Sequence, residues 1–370
     1  MKHFTAKQKE WLLLAVIIAA GAALFFLPPP PEAAKQSGTT AKAVVKEVDN
    51  SGLAKHGLLL YGSQKLTVEI SGKTFTANNE LRGQMELDKL FTPGDIIVTA
   101  MPEDPQPGTV LTARDHYRNF WSFTLFGIFC ILLCIFGSLT GLKALFSFVY
   151  SCLVIWKLVI PLVLRGYPAS WIIFGAVVFL TAVIIFLVAG PTRKGAAAFC
   201  GSILGVFSGL LTAHLFGRLM HINGAGMPYV QALFYSGYEM LDIQDIFIGA
   251  MILAGSGAVM DLAMDIASGI EEVALHNPGL SCRELIRSGI RMGRSVVGTM
   301  TTTLLLAYSG GYITLLMMFA AQGTPVSEFL NSTVVAPELA KTLIGSFSLV
   351  LVAPFTAVIS GWIFSRRKSL

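Results

Sequence analysis

From Phe120 to Phe364 the chain is a series of apolar segments, each about as long as a bilayer is thick, joined by short connections that carry much of the charge. No other property of the sequence limits the fold so severely. Lipid offers no hydrogen bonds to an exposed backbone, so segments of this kind must be helices that satisfy their own amides. Seven are read: Phe120–Gly137, Leu142–Leu164, Ser170–Ala189, Ala196–Phe216, Ile246–Ile270, Val296–Ala321 and Leu339–Phe364. An eighth, over 11–27, follows a lysine-bearing N-terminus (1–10) and stops at a run of prolines. It reads as an uncleaved signal anchor; cleavage after Ala33 or Ala34 is the alternative and leaves the remaining topology unchanged. Hydrophobic residues at 54% and charged residues at 13% agree with this class. The expected fold is an α-helical polytopic membrane protein of about eight transmembrane helices, with a small extracytoplasmic β-rich domain after the first.

Positive charge sets the orientation. Lys2, Lys7 and Lys9, then Lys143, Arg193 and Lys194, Arg283, Arg287, Arg291 and Arg294, and finally Arg366, Arg367 and Lys368 all fall on one side of an eight-helix count. Both termini, including a tail over 365–370, are therefore expected in the cytoplasm. The net charge of +5 sits at segment ends, the pattern of a topology signal, and argues against a nucleic-acid partner. The five cysteines lie in apolar runs or in the Arg-rich connection, without CxxC spacing, so neither structural disulfides nor zinc is expected. No cofactor motif is found.

Residues 35–115 have the composition of a water-exposed module. AKAVVKEVDN, GLLLYG, KLTVEI, KTFTA and IIVTAM read as short strands, with Ser71-Gly72 as a hairpin turn. A barrel or sandwich is expected, its sheet closing on itself to leave no open edge.

The chemistry-bearing stretch is 249–311. Asp261, Asp265, Ser268 and Glu272 repeat at helical spacing and share one face. Ser295, Thr299, Thr302, Thr303 and Ser309 make a hydroxyl stripe on the next segment. Asp261 lies ~22 Å along its helix from the outer end. A charge near the bilayer centre costs ~3 kcal/mol on the insertion scale. Two readings stand for these carboxylates. One is a cation or proton site, because paired carboxylates shift each other's ionisation and facing hydroxyls add oxygen ligands. The other is a hydrogen-bonded clamp between the two helices.

Lys157, within the second of the seven segments, either snorkels to the headgroups or pairs with Asp261 or Asp265. Glu338 opens the last span as a helix-capping residue or a polar group along a route. His214 reads as a hydrogen-bonded packing residue, and Glu271 and Glu272 as solvated interface residues. The Arg-rich connection (271–295) reads as a short amphipathic helix along the cytoplasmic surface, a topology anchor before it is an anion site. Gly257-x3-Asp261-x3-Asp265 matches half of the CDP-alcohol phosphotransferase signature, but the other half is absent.

GAVMDLAMDIASGIEE, HNP and SGIRMGRSVVGTMTTTLLLAYSGG, with KLVIPLVLRGYP and PELAKTLIGSFSLVLVAPFTAVIS, resemble the YibE/F family of multi-pass membrane proteins. The resemblance covers most of the chain and implies a bacterial plasma-membrane protein without bringing a function. In the family's pattern Asn stands in place of Thr302, an acidic residue in place of Ser295 and a small polar residue in place of Asp265. The resemblance thus supports Asp261, Gly298, Thr299, Thr303 and Tyr308, and makes Asp265 a local addition.

The expected function is transport of a cation or small solute, with or without proton coupling, through Asp261, Asp265, Ser268, Thr299, Thr302 and Thr303, with Lys157 and Glu338 along the route. The alternatives are a non-transporting factor whose module at 35–115 binds an envelope partner, and a membrane-embedded metal-dependent transferase using Asp261 and Asp265. Besides the bilayer, the partners expected are a small ion or solute and, compatibly with these spans, further copies of the chain.

Overall fold

The computed structural model describes residues 39–85, 87–102 and 108–365, and three isolated positions before them. The N-terminus, the anchor over 11–27 apart from those positions, and the tail beyond Ser365 lie outside the described residues. The rest forms two compact units, the first ending at Phe136 and the second beginning at Gly137.

In the first unit, β1 (Thr39–Asp49), β2 (Leu53–His56), β3 (Leu59–Ile70), β4 (Lys73–Arg82), β5 (Ile96–Met101) and β6 (Val110–His116) make one sheet. β1 pairs with both β5 and β3, which closes a five-stranded barrel in the order β1-β3-β4-β6-β5, with β2 added beside β3. The β4–β6 pairing is parallel and the others antiparallel. Two details differ from the expected strands. GLLLYG and KLTVEI are a single strand, because Gly62 takes φ 114 and lets the chain bend past Gly52 without ending the ladder. LAKH and VLTARDH are strands beyond those expected.

The β3–β4 hairpin turns at Ser71 (φ 50) and Gly72 (φ 81), the left-handed pair that a two-residue turn demands. Alternate residues, among them Val45, Leu66, Val68, Ala77, Ile97 and Leu111, fill the barrel. Two buried amides, Gln64 and Asn79, interrupt this apolar core. Gln64 donates to Asn50 Oδ1 (2.8 Å) and to the Phe91 carbonyl (3.0 Å), and accepts from Phe91 N (3.1 Å) and Asn79 Nδ2 (3.1 Å). It thereby fastens the β4–β5 connection to the barrel wall. Helix α1 (Asn119–Ser138) follows, and helical dihedrals fail at Ser138 (φ 48, ψ −128).

The second unit contains α2 (Thr140–Leu164), α3 (Ala169–Ala189), α4 (Arg193–Leu219), α5 (Val230–Tyr235), α6 (Ile243–His276), α7 (Cys282–Gly311), α8 (Ile313–Ala321), α9 (Val326–Asn331) and α10 (Val335–Ser365). Among the described residues six helices, α1 to α4, α6 and α10, are long and apolar enough to cross a membrane; α7 with α8, bent by 68°, makes a seventh if counted as one span. The seven spans read after the anchor correspond to these. α7, however, starts at Cys282 under a capping box of Ser281 and Glu284. The Arg-rich stretch is therefore no separate surface helix but the first turns of a 30-residue one, held because Leu285, Gly289 and Gly293 are buried. In α2 the backbone widens to an i→i+5 turn at Ile155–Val159, ahead of Pro161, which lacks an amide hydrogen and displaces the preceding turn.

α10 packs against α4, α6 and α7, and α6 also packs against α3 and α4. Small residues let these backbones approach. Gly201, Gly205 and Gly209, one turn apart on α4, lie against Thr356, Val352 and Ser348 of α10. Gly255 of α6 meets Gly345 of α10, where an added Cβ would lie 3.3 Å from the opposing Cα.

Candidate functional site

α6 and α7 run antiparallel from the turn at Asn277–Gly279 and touch near it. A Cβ on Gly293 would lie 3.3 Å from Ile266 Cδ1, Gly289 abuts Ile270, and Gly269 abuts Met292. Continuing this register by single turns brings Asp265 level with Ser295, and Asp261 level with Thr299. Here the seam opens. Asp261, Asp265, Ser295, Thr299, Thr302 and Thr303 are all exposed, and neither Gly257 nor Gly298 has a neighbour within 4 Å of an added Cβ. Ser268, half-buried, lies at the closed end.

The hydroxyls turn to their own helix. Thr299 donates to the Val296 carbonyl (2.9 Å), Thr302 to Gly298 (3.0 Å) and Thr303 to Thr299 (3.0 Å). Among the described residues no hydrogen bond joins either aspartate to a threonine, so the clamp between the helices is not formed. Lys157 occupies the widened turn of α2, which packs on α3. The two helices thus carry exposed polar stripes at the same level, two carboxylates on α6 and hydroxyls on α7. Among the described residues no three His, Cys, Asp or Glu side chains gather for a metal ion. A cation held at Asp261 and Asp265 would draw its remaining oxygens from hydroxyls, carbonyls or water.

Glu338 belongs to a different group. Its carboxylate is 2.5 Å from Lys341 Nζ, which stands 5.7 Å from the centre of the Tyr308 ring. Thr342 donates to the Glu338 carbonyl (3.0 Å), and its hydroxyl is 3.5 Å from Tyr312 Oη. This group lies at the α7–α8 bend, as Tyr312 is the residue between the two helices. Lys341, three residues after Glu338, was the available sequence signal; the tyrosines join only through the bend.

A third group unites Ser170 of α3, His214 of α4 and Asp245 of α6. His214, expected as a hydrogen-bonded packing residue, is thus joined to groups far from it in the sequence. Glu271, expected in solvent, pairs with Lys194 at 3.2 Å, whereas Glu272 is exposed and lies 3.7 Å from His276.

The YibE/F-like protein family matches residues 125–366 of this chain. The chain belongs to that family. The match takes in the entire second unit up to the last turn of α10, with all three polar groups, and leaves the barrel outside. No curated protein and no solved structure matches the chain. The family assigns no reaction or solute, so function has to be argued from the seam.

Proposed function

We propose that this chain is a multi-pass transporter of the bacterial plasma membrane that moves a cation or small solute, with Asp261 as the binding or protonation residue. The observation that carries the reading is the open seam between α6 and α7. Two carboxylates stand exposed on a membrane-length helix, unclamped by the hydroxyls level with them. In hydrocarbon each would cost ~3 kcal/mol or more, so the seam needs water, a cation or a proton at that level. Asp265 and Ser268 extend the acidic wall; Thr299, Thr302 and Thr303 supply exchangeable oxygens opposite. The α7–α8 bend, with Glu338 and Lys341 beside it, resembles the interrupted helices at which transporter sites form. With eight spans, the anchor included, both termini face the cytoplasm and the barrel lies outside, in keeping with the cation-rich connections.

Uptake into proteoliposomes tests this, using a panel of monovalent and divalent cations and small charged solutes. Asp261→Asn is expected to abolish the flux that the wild type supports. Flux that survives the substitution unchanged sinks the reading.

One observation favours a second reading, in which the barrel binds an envelope partner. Leu58 at the β2–β3 turn is 88% exposed and Met85 after β4 is 78% exposed, with Tyr61 of the same hairpin packed over Gly83. On this reading a Leu58→Lys, Met85→Lys double variant loses the partner while transport is unaffected.

A further inference from the structure

The start of α3, the middle of the last turns of α4 and the first turn of α6 converge on one titratable pair. Ser170 is fully buried in the first turn of α3, where backbone amides have no partner within the helix. Its amide donates to Asp245 Oδ2 at 3.0 Å, so one carboxylate oxygen is committed to α3. The other, Oδ1, lies 3.8 Å from His214 Nε2. Asp245 is itself fixed, since its amide donates to the capping carboxylate of Asp242 at 3.0 Å.

The imidazole geometry then decides where a proton goes. His214 Nδ1 is 3.1 Å from the Leu210 carbonyl oxygen, which can only accept, so Nδ1 carries the hydrogen. In the neutral ring Nε2 is consequently a bare lone pair. It points at a carboxylate oxygen, an unfavourable apposition, and at Ser170 Oγ, 3.5 Å away, which can donate to it. A proton on Nε2 reverses both relations: the ring becomes a cation facing Asp245, and the serine hydroxyl is released. Both distances exceed a closed hydrogen bond, leaving room for either arrangement.

We infer that His214, Asp245 and Ser170 form a proton-binding site that ties α4 to the starts of α3 and α6 when occupied. Its neighbours leave the pair its own charge balance. α3 contributes no titratable side chain; Asp242 caps α6 one turn before Asp245, the next carboxylate of α6, Asp261, is more than four turns further on, and α2, packed on α3, carries Lys157. α4 adds Arg218 four residues on, and α10, the other helix packed on α4, carries Glu338 and Lys341, which pair with each other. Without the proton, the polar link between α4 and the start of α6 is the long bond from Gln244 Nε2 to the Gly217 carbonyl at 3.4 Å. The site goes beyond the transport reading and stands whether or not Asp261 binds a solute.

The test is a double-mutant cycle on the full-length protein in detergent, with Tm read at about pH 5.5 and about pH 8.5, either side of the ordinary imidazole range. His214→Gln, Asp245→Asn and the double variant are expected to show a coupling of roughly 3 °C at the lower pH that vanishes at the higher. Ser170→Ala keeps the backbone amide and removes only the hydroxyl, so it covers the case in which the other variants fail to fold. It is expected to lower Tm at the higher pH alone. Coupling that is equal at both pH values or absent at both, or a Ser170→Ala loss independent of pH, overturns the inference.

Discussion

Gly201→Ala adds one methyl group at the α4–α10 contact, and the structure shows what it would meet. The new Cβ would lie 2.9 Å from Thr356 Cβ and 3.0 Å from Thr356 Cα. Carbon atoms in contact sit at ~3.5–4.0 Å, so α4 and α10 must separate by about 0.5–1 Å. No rotamer change relieves this, because the Cα belongs to the backbone of α10. Overpacking of this kind costs ~1–3 kcal/mol, and the backbone contact argues for the upper end. Alanine returns ~1 kcal/mol through its better helix propensity, leaving a net loss of ~2 kcal/mol. At ~2–4 °C per kcal/mol the melting temperature should fall by ~4–8 °C. Thermal unfolding of the full-length protein in detergent, followed by the fluorescence of its five tryptophans, reads this directly. Gly257→Ala is the matched control: nothing lies within 4 Å of its added Cβ, so only the propensity gain applies and Tm should hold or rise. If the two variants melt at the same temperature, the close approach of α4 and α10 does not limit stability and the reasoning fails.

Two further outcomes are expected in the barrel. Asp115 is partly buried, which disfavours its charge, but hydrogen bonds from Lys89, from the His116 amide and from Arg118 outweigh this and hold its carboxyl below the ordinary value. A depressed carboxylate stabilises the fold above its unfolded value of ~3.9 and loses that contribution as pH falls through the lower folded value. With the side chain 38% exposed, the worth is on the order of 1 kcal/mol or less. Hydrogen-exchange protection of β6 should therefore be weaker in Asp115→Asn than in the wild type at neutral pH, and the difference should close in strong acid. Gln64→Leu strands the Phe91 amide and carbonyl, while Asn79 keeps its bond to the Lys89 carbonyl, at a cost of ~3 kcal/mol. Limited proteolysis should then cut the β4–β5 connection, which the wild type protects.

The membrane helices were legible because a bilayer imposes a length and an apolarity that local composition reports directly. The Arg-rich stretch was misjudged for the same reason: Arg283 to Arg294 depress local hydropathy, while the burial of Leu285, Gly289 and Gly293 that continues the helix is tertiary. In the barrel, alternation revealed that strands exist, but Gly62 looked like an end and proved to be a bend. The acidic and hydroxyl stripes were visible as helical periodicity. That they stand level across an open seam depends on interhelical register, which no single segment encodes. The Ser170, His214 and Asp245 group was the least visible, because its members are 44 and 75 positions apart and each looks ordinary alone.

The closure of the barrel also decides how another molecule could recognise it. Every strand but β2 has a neighbour on both sides, so the main-chain donors and acceptors of the described barrel are largely spoken for. Recognition by strand donation, in which a peptide extends a sheet and draws affinity from backbone pairing, is left to the four residues of β2 and to the strand ends beyond the short β4–β6 ladder, which joins Thr76, Ala77 and Asn78 to Val110, Leu111 and Thr112. A partner that does not extend one of these edges would have to read side chains, with its specificity residing in what projects from the barrel wall rather than in the chain direction of whatever it binds.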